Sequence, residues 1–434
     1  SLIMVNDNKF PLTDLRVCGL FSSYVNHDRI ALAVSGGRDS MALMCLVYRW
    51  KAHLALNIEI EVITVNHNLR KAAEDECRFV QKIAKDYGFR HKVLTWEHEY
   101  IETSIQEKAR NARYQLMLDY AREENIDTIL TAHTSDDNIE TFIMRLAKGS
   151  GLDGLKSINE IRHADGIQIE RPLLSLSRSL TTEILRSTGN EWVDDPTNED
   201  ERFERVKIRN NISSLSSFNI SSGNLTKTIQ RLTRAHESIS FFTNLVSQEL
   251  VELSELGHAD VNFDKLRNYP KEIILRVLAK ALTDINGGTV SLSSLEAVFT
   301  ELIKTERCKT LNGCQIIPQK NKYVIVRENR GISPAEIKIN ERISWDGRFD
   351  VHLKSCDKTN IVIDQIGNAD DLRTMIDGTS FQSMPKYVLR TLPGGFIKDK
   401  LVLLPNTHNI YYSGYLDVKF RISDKKNSQK LGRS

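Results

Sequence analysis

At 434 residues the chain exceeds what one ordinary core accommodates, so two or three domains are expected. Hydrophobic residues make up 40% and charged residues 27%, an ordinary balance for a soluble globular protein, and a net charge of +2 does not by itself mark a nucleic-acid binder. No apolar run is long enough to span a bilayer and the N-terminus lacks the order of regions of a signal peptide, so no membrane role and a cytoplasmic location are expected. Six cysteines (Cys18, Cys45, Cys77, Cys308, Cys314 and Cys356) are scattered without a C-x-x-C pair, which reads as reduced thiols rather than a disulfide frame or zinc site.

Between residues 28 and 190 short apolar runs alternate with amphipathic stretches. Strands are expected at 30–34, 58–65, 92–96, 128–132 and 167–169, and helices at 40–50, 72–87, 105–124 and 136–147. That alternation implies an α/β domain built on a doubly wound parallel sheet. A Ser- and Asn-rich stretch at 212–225 reads as a linker, and helical periods follow at 226–253, 271–284 and 291–305. Strand-like runs then appear at 315–318, 323–326, 351–353, 396–397 and 401–404, with turns expected at Asn312-Gly313 and Gly394-Gly395. The expected division is 1–215 for the α/β domain, 216–305 for a small helical domain and 306–434 for a mixed α/β domain.

The run Ala31-Leu32-Ala33-Val34 leads directly into Ser35-Gly36-Gly37-Arg38-Asp39-Ser40 and then into a helix. Adjacent glycines let the backbone turn sharply and approach a ligand, and the N–H groups of Gly36 to Ser40 are expected to face an anion at the helix N-terminus. Ser35 and Ser40 add hydroxyl donors, and Asp39 stands where a carboxylate would hold magnesium against phosphates. The Walker A spacing and its lysine are missing, and so is the dinucleotide G-x-G-x-x-G. The block resembles the PP-loop of the N-type ATP pyrophosphatases, a resemblance that implies ATP cleaved between its α- and β-phosphates to adenylate a substrate oxygen.

A second cluster, Thr131-Ala132-His133-Thr134-Ser135-Asp136-Asp137-Asn138-Ile139-Glu140-Thr141, follows the strand at 128–132 and opens another helix. Asp137 and Glu140, three apart, share one face, which suits a cationic amine or a metal; acidic capping of a first helical turn is the alternative. The stretch runs on to Arg145-Leu146 and Gly149-Ser150-Gly151-Leu152-Asp153-Gly154-Leu155. It resembles the A-H-x-x-D-D-x-x-E-T…R-L-x-x-G-S-G-x-x-G-L block of the tRNA(Ile)-lysidine synthetase family. Val65-Asn66-His67-Asn68-Leu69-Arg70, Ala109-Arg110-Asn111-Ala112-Arg113-Tyr114, Arg171-Pro172-Leu173-Leu174, Trp192-Val193-Asp194-Asp195-Pro196-Thr197-Asn198 and Arg205-Val206-Lys207-Ile208-Arg209-Asn210 match further family segments in order. Leu389-Arg390-Thr391-Leu392-Pro393 is similar to a segment of the family's C-terminal domain.

The resemblance implies a ligase that adenylates the C2 oxygen of anticodon cytidine 34 in tRNA(Ile) with a CAU anticodon, using ATP and Mg2+, and then joins free L-lysine to that carbon with release of AMP. It implies Arg113 on the adenylate side and Asp137 and Glu140 for the lysine ammonium and its deprotonation, while His133 is read toward nucleotide or base. Arg205, Lys207 and Arg209 alternate in sequence and are read as a grip on RNA backbone, with an exposed basic strand as the plain alternative. The two C-terminal domains are implied to bind tRNA, and a homodimer through the N-terminal domain is compatible with the sequence. Asn66 stands where the family has Asp, Thr134 where it has His, Asn138 where it has Gln and Val206 where it has Asn, so a metal role at Asn66 does not carry over. Two rivals weigh against this: a PP-loop tRNA thiolase, which needs paired or redox cysteines, and a non-catalytic nucleotide- or RNA-binding module, which has no need of Asp39, Asp137 and Glu140. A glutamine-fed amidotransferase would need a glutaminase domain that the sequence does not display.

Overall fold

A computed structural model of the chain describes residues 10–66, 73–97, 105–164, 166–194, 204–354, 361–369, 372, 376, 380–405 and 416–421. His67 to Arg70, Asp195 to Asn198 and Cys356 lie outside the described residues. The chain forms two compact units, Ser1–His236 and Glu237–Ser434.

The first unit contains, in order, α1 (Asp14–Leu20), β1 (Arg29–Ala33), α2 (Arg38–His53), β2 (Glu59–Asn66), α3 (Ala73–Asp86), β3 (Arg90–Thr95), α4 (Ile105–Glu123), β4 (Thr128–Leu130), α5 (Ser135–Ala147), α6 (Leu152–Leu155), β5 (Ile161–Ala164), β6 (Ile167–Glu170), α7 (Arg178–Thr188) and α8 (Glu204–Asn211). The strands form one sheet in the order β3-β2-β1-β4-β6-β5, parallel except for the edge strand β5. Residues of β1 alternate between two cores, as the two-residue strand period requires. Ile30 and Leu32 pack with Met41, Leu43 and Leu46 of α2, Val80 of α3 and Ile184 of α7. Ala31 faces the other way, toward Tyr114, Met117 and Leu118 of α4. Helices thus cover both faces, and the doubly wound parallel sheet read from the sequence is what forms.

The five expected strands and four expected helices of this region all appear, with ends shifted by a few residues. Residues 205–209 differ, because they lie in helix α8 and not in a strand. Four residues apart on a helix, Arg205 and Arg209 share a face, while Lys207 between them points elsewhere.

The long helix α9 (Ser222–Leu250) leads into the second unit. Its expected end at 253 is overtaken by β7 (Val251–Leu253), which pairs antiparallel with β8 (His258–Val261). After α10 (Phe263–Leu266), helices α11 (Lys271–Asn286) and α12 (Leu292–Thr305) pack in one core with β8, β10 (Cys314–Pro318) and β11 (Tyr323–Arg327). With β9 (Lys309–Leu311) these strands make a five-stranded sheet, β7-β8-β11-β10-β9. Two smaller antiparallel sheets follow. One joins β12 (Ala335–Ile337), β15 (Ile361–Gln365), β16 (Pro393–Ile397) and β17 (Lys400–Leu403), and the other joins β13 (Arg342–Trp345), β14 (Phe349–Leu353) and β18 (Leu416–Phe420).

Asn312 and Gly313, at φ +51° and +64°, turn the β9–β10 hairpin as expected. Gly394 and Gly395 make no turn; they lie inside β16. A Cβ on Gly394 would come within 2.6 Å of Leu401, and one on Gly395 within 2.9 Å of Leu403, so close strand packing is what needs glycine there. The turn to β17 is made by Lys398 and Asp399, both at positive φ.

Candidate active site

The site lies at the C-terminal ends of β1 and β4, which are neighbours in the sheet although β2 and β3 separate them in sequence. The chain order reverses between these two strands, and open α/β sheets bind ligands in the crevice that such a reversal leaves.

After β1, Gly36 turns at φ +84°, and a Cβ there would press on Val80 at 3.4 Å. Val193 N–H donates to the Gly36 carbonyl at 3.0 Å and fixes the loop from outside. Ser40 Oγ donates to the Gly37 carbonyl at 2.8 Å and accepts from Ser35 N–H at 3.2 Å, so the two serines brace the loop. Gly37 is the N-cap of α2 and no side chain caps that helix. Its first N–H groups are left to an outside anion. Arg38 and Asp39 form the first turn, with Arg38 Nε 3.4 Å from Asp39 Oδ1.

The second motif begins α5. Asp137 Oδ2 accepts from Thr134 N–H at 2.9 Å and Thr134 Oγ1 at 3.1 Å, so the capping role open in the sequence is filled. Its other oxygen remains for a cation. That cation is Arg178, the first residue of α7. Arg178 Nη2 donates to Asp137 Oδ1 at 3.0 Å and Nη1 to Glu140 Oε1 at 2.9 Å, while Nε lies 3.5 Å from Asp39 Oδ2. One guanidinium therefore ties together three carboxylates from two motifs about a hundred residues apart. The Arg178 backbone N–H donates to Asp136 Oδ2 at 2.8 Å, and Thr181 Oγ1 one turn on donates to Asp39 Oδ1 at 2.6 Å.

Two more guanidiniums reach Glu140. Arg209 Nε donates to its Oε1 at 2.8 Å, and Arg205 Nε lies 3.5 Å from its Oε2 while Arg205 Nη2 donates to Thr141 Oγ1 at 3.1 Å. The Glu140 side chain is 1% exposed, against 16% for Asp137 and 21% for Asp39. Glu140 is therefore the anchor of three arginines, and the reachable carboxylates are Asp137 and Asp39. Burial works against ionisation of Asp137, but Arg178 and the Thr134 N–H outweigh it and hold its carboxyl below the usual range. Burial likewise opposes the Arg178 charge, and Asp137 and Glu140 reverse that effect, raising its pKa.

His133 is half-buried just beyond β4, sharing a 3.1 Å hydrogen bond between Nδ1 and Thr131 Oγ1. Burial pushes its pKa down to about 4, with Asp137 opposing, so the ring is neutral at neutral pH. It lines a cavity beside the cluster together with Arg110 and Arg205. Arg113, on α4, pairs with none of the three carboxylates among the described residues; its guanidinium lies 5.5 Å from the Tyr114 ring. Arg178 and Thr181 are the site residues that sequence reading missed. Ser177, whose Oγ accepts from Leu180 N–H at 3.3 Å, signals a helix start in the sequence, but nothing local shows where the next side chain points.

A family model described as a PP-loop domain matches residues 13–215. The tRNA(Ile)-lysidine synthase of Wolbachia pipientis wMel is 32% identical over 357 residues, covering 79% of this chain and 82% of that protein. The tRNA(Ile)-lysidine synthase of Orientia tsutsugamushi (strain Boryong) is 30% identical over 410 residues, covering 91% of this chain and 92% of that one. Among solved structures, the U34-tRNA thiolase NcsA from Methanococcus maripaludis aligns with 50% of this chain and 76% of its own at 17% identity and a TM-score of 0.44, too distant to bear on function. With relatives matched across both units at this identity, the chain belongs to the tRNA(Ile)-lysidine synthase family.

Proposed function

We propose that the chain is an ATP-dependent, AMP-forming ligase that joins lysine to C2 of cytidine 34 in tRNA(Ile) with a CAU anticodon. The observation that carries this reading is the meeting of Asp39, Asp137 and Glu140 on Arg178, beside a helix start left open to phosphate. The C2 oxygen of the cytidine attacks the α-phosphate of ATP and pyrophosphate departs. An amine of lysine then attacks C2, the oxygen leaves with AMP, and the amine gives up a proton. The glycine loop, with Ser35, Gly36, Gly37, Arg38 and Ser40, cradles phosphate for the first step. Asp137 is the carboxylate that meets the ammonium and takes its proton in the second, because it is ionised and partly exposed.

Glu140 acts differently from a free ammonium receptor, since three guanidiniums already serve it. The phosphate charge of ATP gives Arg178, Arg205 and Arg209 a second anion to neutralise, which frees carboxylate capacity for lysine. Arg113, beside Tyr114 on α4, serves the adenylate, and His133, in the cavity wall, serves nucleotide or base. Asp39 would hold Mg2+. That ion takes one or two carboxylates and completes its shell with phosphate oxygens and water, which fits a carboxylate in the first turn of the cradle helix. No group of three or more His, Cys, Asp or Glu side chains among the described residues is arranged to hold a metal by itself, and the ATP phosphates would share the ion with Asp39. When bound, the ion neutralises charge growing on the phosphates.

In this reading residues 1–215 carry the chemistry and residues 216–305 and 306–434 hold the tRNA, with the protein working in the cytoplasm, and a homodimer through the first segment is compatible with it. No helix among the described residues is long and apolar enough to cross a membrane. Incubation with ATP, Mg2+, labelled lysine and CAU-anticodon tRNA(Ile) is expected to yield one RNA-attached lysine per AMP and pyrophosphate formed. ATP consumption without lysine attachment would sink the assignment, and incorporation of labelled sulfur instead would point to a thiolase.

A further inference from the structure

Against the acid cluster lies a cavity of about 400 Å3 that shares Thr141 and Arg205 with it. Six cations line it: Arg110 of α4, Arg145 of α5 and Lys148 just beyond it, Arg162 of β5, Arg171 directly after β6, and Arg205 of α8. No Asp or Glu is among its described lining residues. Three of the cations are occupied. Lys148 pairs with Glu204 at 3.0 Å, Arg205 with Glu140, and Arg145 Nη1 donates to the carbonyls of Gly154 and Ser157. Arg110, Arg162 and Arg171 have no carboxylate partner among the described residues.

Arg171 carries the most weight of these. It is 6% exposed, its Nη1 donates to the Asn159 carbonyl at 2.7 Å, its guanidinium neighbours the Tyr114 hydroxyl, and its buried Nε meets no acceptor at hydrogen-bond geometry. Nε of Arg113, on the same helix as Arg110, is likewise buried without an acceptor. The guanidiniums of Arg110, Arg113 and Arg162 gather 5.3 to 5.7 Å from the centre of the Tyr114 ring. Burial would raise the Tyr114 phenol pKa, yet Arg113, Arg110 and Arg171 more than cancel that and hold it below its ordinary value. Uncompensated like charges repel, and buried guanidinium donors without acceptors are costly, so such a cluster persists where a ligand supplies anionic oxygen.

We propose that this cavity seats a backbone phosphodiester of the substrate RNA next to the nucleotide that reacts, an inference that rests on reading the chain as an RNA-modifying ligase. ATP phosphates have their own cradle at Ser35 to Ser40, on the loop after β1. The cavity volume matches a nucleotide-sized ligand rather than a lone phosphate. Planar guanidiniums and the neutral His133 ring in the wall suit a splayed single strand, whose phosphates take arginine forks and whose bases stack.

The test measures binding of a fluorescent CAU anticodon stem–loop RNA to the full chain across a salt series, with Arg110→Gln and Arg162→Gln as variants. Both side chains are exposed, so folding is expected to survive, which thermal melting checks. Each variant is expected to weaken RNA binding about tenfold and to flatten the log–log salt slope by about 0.7 to 1, while KM for ATP stays within twofold. Unchanged RNA affinity and slope in both variants, with wild-type lysine attachment intact, would overturn the cavity proposal and leave the ligase reading standing. A rise in KM for ATP, or in the Kd of inorganic pyrophosphate, with RNA binding unaltered would assign the cavity to nucleotide phosphates and overturn it too. Failure of the wild-type chain both to bind the RNA and to attach lysine would remove the ligase reading and the cavity proposal together.

Discussion

Arg178 is placed to act on three carboxylates at once, and a planar fork does what a point charge cannot. Its Nη1, Nη2 and Nε each face a different carboxylate, so Arg178→Lys keeps the charge and loses the simultaneous contact. Arg178→Ala leaves three clustered carboxylates without their shared cation, one of them 1% exposed, and is expected to cost about 3–5 kcal/mol of stability. The pH response follows with a definite sign. Asp137 is held below its ordinary pKa against the pull of burial, so its contribution to stability is present above the unfolded carboxylate pKa and is lost as pH falls through the lowered value. Without Arg178, burial loses its largest opponent and the Asp137 pKa rises, so the acidic limb of the kcat/KM profile for lysine should move to higher pH. Arg178→Lys should lower kcat/KM at least tenfold with a smaller limb shift. An unmoved limb in Arg178→Ala would show that the arginine does not set the ionisation of the site. Asp39, Asp137 and Glu140 were legible in sequence because each belongs to a compact motif. Arg178 was not, because its meaning arises only where α7 returns to the edge of β1 and β4.

At the scale of elements, the central parallel strands β1 and β4 were legible because both of their faces are buried, unlike the exposed edge strand β3. Strand β1 then reads as a near-continuous run of Ile, Ala and Leu, whereas β2 interleaves Glu61 and Thr64 with Ile60, Val62, Ile63 and Val65. The edge strand β5, Ile161-Arg-His-Ala, carries no such run and has three exposed residues of four, so only its pairing with β6 makes it a strand. The glycine pair Gly394-Gly395 misled for the opposite reason. Its composition reads as a turn, while its packing against Leu401 and Leu403 of β17 leaves no room for a Cβ. Intrinsic strand preference would favour Val at 395, yet the Cβ alone would sit 2.9 Å from both Cβ and Cδ1 of Leu403. Gly395→Val is therefore expected to lower stability by about 1–3 kcal/mol, read as a drop in the urea midpoint at unchanged slope. A rise in the midpoint would mean that propensity outweighs packing in this strand.

At the scale of the molecule, the cores divide along the chain. The three clusters around the parallel sheet and α5 draw their buried residues from positions 10 to 229, and the fourth draws its own from positions 246 to 418. Each unit thus has a core that the other does not complete, and calorimetry of the full chain should resolve two unfolding transitions rather than one. ATP separates them, because the phosphate cradle and the acid cluster both belong to the first unit. A ligand at a hundred times its Kd adds about 2.7 kcal/mol to the state that binds it, which for a unit of this size raises Tm by about 5–10 °C. The first unit's transition should rise by that amount with ATP and Mg2+ while the second stays in place. Omitting Mg2+ should shrink the rise, as should Asp39→Ala, since Asp39 is the carboxylate proposed to hold the ion. A single transition that ATP moves as a whole would mean that the two cores fold as one cooperative body, and a shift confined to the second transition would place the nucleotide outside the glycine loop.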